Sequence, residues 1–274
     1  MHAAALAAAA AADRARVCVR MLEALDDLRA MEQLYLSIWA GGVIDSDHLK
    51  ALAHSGNYVA GAFRDGDLVG ASVGFFATPL GEALHSDVTG VRRDAGSQGV
   101  GLALKLHQRA WALDLGLTQI RWTFDPLIAR NAYFNLERLR AEVSGYHADF
   151  YGPMRDGVNE GQGSDRLLMS WPLTAPQVAS ARDPAGSSAA LPSHVPALLA
   201  DANGRPLHAR VDPEAAVVAI GIPTDIEAVR RADPDRARSW RQALRATLGA
   251  EIEAGGRVLR FCPDRGYVVE RRHV

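Results

Sequence analysis

A mixed α/β fold follows from three features of this sequence of 274 residues. Short strand-like apolar runs alternate with segments of helical spacing. Two of the strands meet at Asp65-Gly66, a tight hairpin signal. A glycine-bearing turn, Gly96 to Gly101, then separates a third strand from a long amphipathic segment.

In chain order, residues 17–21 read as a short strand. Residues 26–39 read as a helix with Leu28, Met31, Leu34, Tyr35 and Ile38 on one face, stopped by Gly41-Gly42. Ser46–His54 is a second helix with Asp45 or Ser46 as N-cap. "NYVAGAFRDGDLVGASVGFFATP" supplies the hairpin and "EALHSDVTGV" a third meander strand. Residues 101–115 form a helix with Gly116 in C-cap position. "TQIRWTFDP" is a strand ended by Pro126, residues 129–139 a short helix, and "RLLMSWPL" a closing strand.

Composition shifts after that strand, and the domain boundaries follow it. Residues 1–16 read as an Ala-rich frayed tail, 17–173 as the main domain, 174–213 as a Pro/Ser/Gly-rich linker or arm, and 214–274 as a small α/β subdomain. In the last, "AAVVAIGIP" is a buried strand and Thr224-x-x-Glu227 a capping box. Trp240, Leu244, Leu248 and Ile252 share a helical face, and a terminal hairpin turns at residues 264–266.

The hydrophobic fraction of 48% and charged fraction of 23% are those of a soluble globular chain. A net charge of −2 offers no electrostatic attraction for nucleic acid or an anionic membrane. Cys18 and Cys262 have no CxxC partner, so neither a disulfide framework nor a zinc site is expected, and a cytoplasmic location is. No metal ligand set stands out, and no run is apolar enough to span a membrane.

The glycine turn decides the chemistry. Gly96 and Gly101 have Walker A spacing, but Leu102-Ala103 replaces the Lys and hydroxyl that meet phosphates and Mg²⁺. Gly99-Val100-Gly101 begins like a dinucleotide fingerprint, yet Leu104 stands at the third glycine and a meander strand precedes it. What remains is a GxG at a helix N-terminus: either a plain helix entry with small residues, or an anion site where unbonded N–H groups and a dipole of about +0.5 charge favour a phosphate. The GxSxG run Gly70–Gly74 lies within a strand and is no nucleophile elbow.

With the elements before it, "VTGVRRDAGSQGVGLALKLHQRAWALDLG" resembles motif A of the GNAT superfamily of acyl-CoA-dependent N-acyltransferases. "IRWTFDPLIARNAYFNLERLRAEVSGYHADFYGPM" is similar to a branch with a Trp-Thr-Phe-Asp-Pro-Leu signature and a C-terminal extension. The resemblance implies a GNAT-like, mostly antiparallel sheet with flanking helices and a small C-terminal α/β extension. It implies an acyl-CoA co-substrate whose pyrophosphate lies on the backbone of Gln98, Gly99, Val100, Gly101 and Leu102, with the pantetheine arm along Thr89 to Val91 and near Asn131. Acetyl or succinyl would move to a small-molecule amine such as an amino acid by direct attack; a non-catalytic acyl-CoA-binding module is the alternative. A homodimer through the C-terminal subdomain is a further expectation. Three positions depart from the pattern: Gly96 replaces an Arg or Gln, Leu136 falls near a usual tyrosine, and Arg140 replaces a Gly.

Transfer to an amine needs a base, because amines are protonated near pH 7, and an acid for the thiolate. Strand alternation puts His85, Asp87 and Thr89 on one face. Asp87 is a base or a satisfied polar residue, and Asp125 a base or an Asx turn before Pro126. Tyr146 is a thiolate acid or a packing residue. His85 and Asn135 are substrate contacts or structural groups, and Arg166 a carboxylate clamp or a surface ion pair.

Overall fold

The computed structural model describes residues 2–39, 43–96, 98–152, 162–179 and 192–272. The chain divides into two compact units, Met1–Trp122 with Trp171–Arg182, and Thr123–Ser170 with Asp183–Val274. Two of the three boundaries fall within strands, since β5 (Gln119–Phe124) and β7 (Arg166–Pro172) each begin in one unit and end in the other.

The first unit opens with α1 (His2–Ala15), where the sequence suggested a frayed tail. Alanine is the strongest helix former, and Ala4, Ala8, Ala11 and Ala15 recur on one buried face. Their small side chains let α1 lie close against α4 (Val100–Asp114). The one large apolar residue of the run, Leu6, is exposed, so the buried face carries no hydrophobic contrast beyond alanine.

β1 (Cys18–Met21), β2 (Tyr58–Arg64), β3 (Asp67–Ala77) and β4 (Ala83–Val91) pair antiparallel in succession, and β5 joins β4 in parallel. Asp65 and Gly66 both take positive φ, 52° and 88°, the backbone of a tight hairpin turn. Helices α2 (Leu25–Trp39) and α3 (Ser46–His54) follow β1, the latter capped by Asp45 through the His48 N–H. The expected stop at Gly41-Gly42 lies outside the described residues. Leu28, Met31, Tyr35 and Leu49 meet Val59, Ala71 and Val73 in a closed apolar core. α4 packs against β2, β3 and β4, and α6 (Pro176–Ala179) closes the unit.

In the second unit α5 (Ala129–Tyr133) continues as a π-turn over Phe134–Arg138, and β6 (Glu142–His147) pairs antiparallel with β7. A separate sheet has the order β11-β12-β10-β8-β9: β8 (Val195–Ala200), β9 (Pro206–His208), β10 (Val217–Ile220), β11 (Arg257–Cys262) and β12 (Gly266–Glu270). β8 and β9 fall in the segment read as linker; Leu198 is fully buried there as β8 pairs in parallel with β10. Residues 180–191 of that segment lie outside the description. Helices α7 (Ile226–Ala232), α8 (Pro234–Leu244) and α9 (Ala250–Glu253) follow β10. The expected capping box does not form: Asp225 caps α7 through the Ala228 N–H, and Glu227 pairs with Arg130 instead. Trp240, Leu244 and Leu248 are buried as their spacing predicts.

Candidate active site

Local backbone builds the candidate site in the first unit. A 3-10 turn, Arg93–Ala95, follows β4, and the chain enters α4 through Gly99 at φ 87° and ψ 0°. That conformation is left-handed, which glycine adopts without steric penalty. The first helical bond runs from the Ala103 N–H to the Gly99 carbonyl at 3.0 Å. The N–H groups of Val100, Gly101 and Leu102 precede it, and no side chain caps them. Gly101 faces open space, since a Cβ there would meet only Val91 Cγ2 at 3.9 Å. The residues fit a pyrophosphate: the donors are backbone, a Cβ at Gly101 would meet only Val91 among the described residues, and the helix dipole adds positive potential.

One charge beside the turn went unseen in the sequence. Arg64, at the end of β2, donates from Nη1 to Gln98 Oε1 at 2.7 Å and from Nη2 to the Ala15 carbonyl at 2.8 Å. The Gln98 amide donates in turn to the Asp94 carbonyl at 3.1 Å. A guanidinium from the hairpin thus stands beside a turn that has Gly96 where a cationic or amide side chain was expected. Nothing local marked it, because Arg64 and Gln98 are far apart in sequence.

β4 carries a bulge. Val73 pairs with Val88 and Gly74 with Ser86, leaving Asp87 as the extra residue. The expected common face of His85, Asp87 and Thr89 is broken there. His85 stacks on Phe75 with ring centroids 5.0 Å apart, whereas Thr89 Oγ1 meets Ser72 Oγ at 2.8 Å. Phe75 and Ser72 occupy alternate faces of β3, so Thr89 has crossed to the face opposite His85. Val88 takes the core position and its carbonyl accepts from the Tyr35 hydroxyl at 3.4 Å.

The bulge also gives Asp87 an exposed edge, while burial of the remainder pushes its carboxyl up against the opposing pull of His85. Burial depresses the His85 imidazole, with Asp87 raising it in part. β4 and β5 pair only through Ala83–Gln119, Leu84–Ile120 and His85–Arg121, then diverge. Asp87, Thr89, Val91 and the turn all lie beyond that last rung.

The other expected residues belong to the second unit, and two are corrected. Asp125 is no general base. Its carboxylate accepts from Arg241 at 2.6 and 2.7 Å, from Arg230 at 2.6 Å and from the Leu127 N–H at 3.0 Å. Burial alone would raise this carboxyl, but the Arg241 and Arg230 charges outweigh it and hold it well below its ordinary range. The Asx reading is the one realised, reinforced by two arginines more than a hundred residues downstream.

Tyr146 is likewise occupied: its hydroxyl donates to Asp165 Oδ2 at 2.5 Å, and Arg245 donates to the same carboxylate at 2.5 and 3.0 Å. Burial first, and Asp165 second, raise the phenol far above its usual value. Arg166 is buried rather than on the surface and donates to the Asp165 carbonyl at 2.9 Å. Asn131 is exposed in the first turn of α5, whereas Asn135 is buried one turn on. Leu136, at the position of the missing tyrosine, is buried too, and Arg140 takes the left-handed φ of 56° natural to the glycine it replaces.

Solved structures similar to this chain include an N-acetyltransferase from Staphylococcus aureus Mu50, at 12% identity over 57% of this chain and 98% of that one, with TM-score 0.49. A GNAT superfamily phosphinothricin acetyltransferase from Sinorhizobium meliloti, in complex with AcCoA, is similar at 18% identity over 57% and 88%, TM-score 0.47. A ribosomal-protein-alanine N-acetyltransferase from Brucella melitensis is similar at 18% over 56% and 98%, TM-score 0.44. No family model matches the sequence, and no curated protein matches it. At these identities and scores the element order decides: strand, two helices, three-strand meander, glycine turn into a helix, parallel strand, helix, two strands. This is the mixed α/β fold expected from the sequence, a mostly antiparallel sheet flanked by helices. The chain also carries α1 and the five-stranded C-terminal sheet. Among the described residues no helix is long and apolar enough to cross a membrane, and no His, Cys, Asp and Glu group could hold a metal.

Proposed function

We propose that this chain is an acyl-CoA-dependent N-acyltransferase acting on the primary amine of a small molecule, an amino acid or a derivative. The observation that carries the reading is the uncapped N-terminus of α4, opened by Gly99 at φ 87° and set beside a β4 strand that leaves β5. A pyrophosphate would lie on the N–H groups of Val100 to Leu102, with Arg64 contributing charge beside Gln98. The extended backbone from Thr89 to Val91 would run along the pantetheine arm. Acyl-CoA supplies a thioester; the chain supplies position and a base.

Asp87 is the group best suited to take the proton from an ammonium acceptor, being a carboxylate exposed at the bulge and raised by burial. The freed nitrogen attacks the thioester carbon and the C–S bond breaks as the C–N bond forms; the second proton of the nitrogen passes to the departing thiolate, leaving the amide and the free thiol of coenzyme A. Asp125 and Tyr146 are engaged in other contacts, which leaves Asp87 as the carboxylate of choice among the expected site residues.

Thermal shift with coenzyme A, acetyl-CoA and succinyl-CoA tests the binding half, and thiol release with pooled amino acids the catalytic half. Stabilisation by a CoA species is expected; its complete absence would overturn the reading. A non-catalytic acyl-CoA-binding module is favoured by the apolar Leu136 at the position of the usual tyrosine. It predicts stabilisation with no thiol release on any amine.

The turn gives a sharper prediction. Gly99→Val places a β-branched residue at φ 87°, a strain of about 1–3 kcal/mol. Relief of that strain moves the N–H groups of α4, so CoA affinity measured by calorimetry is expected to fall about tenfold or more.

A further inference from the structure

Lys105 lies in the middle of α4 with 5% of its surface exposed. Its Nζ donates to Ser86 Oγ at 2.7 Å and to Gln108 Oε1 at 3.3 Å, and sits 4.3 Å from the centre of the Trp122 ring. Ser86 follows His85 on β4 and Trp122 follows Arg121 on β5; His85–Arg121 is the last paired rung. The ammonium therefore stands under the first unpaired residue of each strand, at the apex of their divergence. Among the described residues no carboxylate pairs with it, and burial lowers its pKa to about 7.

A buried ammonium held only by neutral groups is costly, and a packed aliphatic side chain would be cheaper at this position. The cost is recovered when an anion arrives. The pairing of β4 and β5 ends beside the head group, so an anion would have to enter at the apex where the strands part.

We propose that Lys105 is a specificity-determining residue that binds a substrate carboxylate at the apex of the β4–β5 divergence. The inference rests on the acyltransferase reading above and names a substrate feature that reading leaves open. The carboxylate has two sources: the far end of an acyl group derived from a dicarboxylic acid, or the α-carboxylate of an amino-acid acceptor. Ser86 and Gln108 fix the amine between them, and the Trp122 face excludes water from the pair.

The test uses the full chain and its Lys105→Met variant, which keeps side-chain length without charge. Lys105→Gln is the second variant, retaining a polar head for Ser86 and Gln108 should the first fail to fold. Calorimetry compares succinyl-CoA with acetyl-CoA in one arm. In the other, it compares amino acids with their decarboxylated amines in the presence of CoA.

The wild type is expected to bind the carboxylate-bearing member of one pair about tenfold more tightly. Either variant loses that preference while keeping its affinity for acetyl-CoA, and the arm that responds identifies the source. Acetyl-CoA binding with no carboxylate preference in either arm overturns the proposal, as does a preference that survives both variants. Failure of every CoA species to bind overturns the acyltransferase reading itself, and this inference falls with it.

Discussion

Asp125→Ala is expected to destabilise the chain by about 3–5 kcal/mol, the scale for removing one partner from a buried ion pair. The side chains of Arg241, Arg230 and Asp125 are 5%, 6% and 10% exposed, so the guanidinium charges that the carboxylate offsets have little water to turn to. Asp125→Asn would keep the bond from the Leu127 N–H yet lose the charge, and should fall between wild type and alanine. Urea denaturation would read both as a lower midpoint with unchanged slope.

The pH dependence has a definite sign. The Asp125 carboxyl is lowered in the folded chain, so its stabilisation is fully present above the ordinary carboxylate range. It is lost as pH falls toward the lowered folded value. Asp125→Ala should therefore flatten the acid side of the stability profile. An acid side as steep as that of wild type would show that other carboxylates, Asp165 among them, carry it.

Asp87→Asn should lower kcat by about 10²–10⁴-fold, the range for loss of a general base, while acyl-CoA affinity stays within twofold of about the wild-type value. The carboxylate acts when deprotonated, so wild-type kcat/KM should rise with pH through an inflection above the ordinary Asp value, because burial raises it. That limb should vanish in the variant. His85 moves the other way: burial lowers its pKa, which keeps the ring neutral near pH 7. Persistence of the acid limb in Asp87→Asn would move the base elsewhere. A Tm unchanged from wild type separates a catalytic from a structural effect, as Asp87 is exposed at the bulge and acts on the buried Tyr35 phenol through its charge.

Features written in two to five adjacent residues were legible in the sequence. The Asp45 cap, the Asp65-Gly66 turn, Gly116 at the end of α4 and the GxG opening it are all set by local backbone preference. Features that depend on a distant partner were not. Asp125 reads identically as base or turn former until α7 and α8 bring Arg230 and Arg241 to it, and Tyr146 until Asp165 and Arg245 arrive. Arg64 and Lys105 belong to the same class: a single cation in a chain rich in arginine carries no signal, and only topology puts one beside the turn and the other at the strand apex. α1 was hidden for a different reason, since alanine contributes propensity without the hydrophobic contrast on which periodicity depends.

The bulge at Asp87 has a consequence for comparison with any other chain. Along β4 the parity of inward and outward positions changes once, so that even-numbered residues share a face with odd-numbered ones across residue 87. An alignment carried through this strand without a one-residue gap would match Thr89 to a core position and Val88 to its reverse. It would also hide the residue most suited to take a proton.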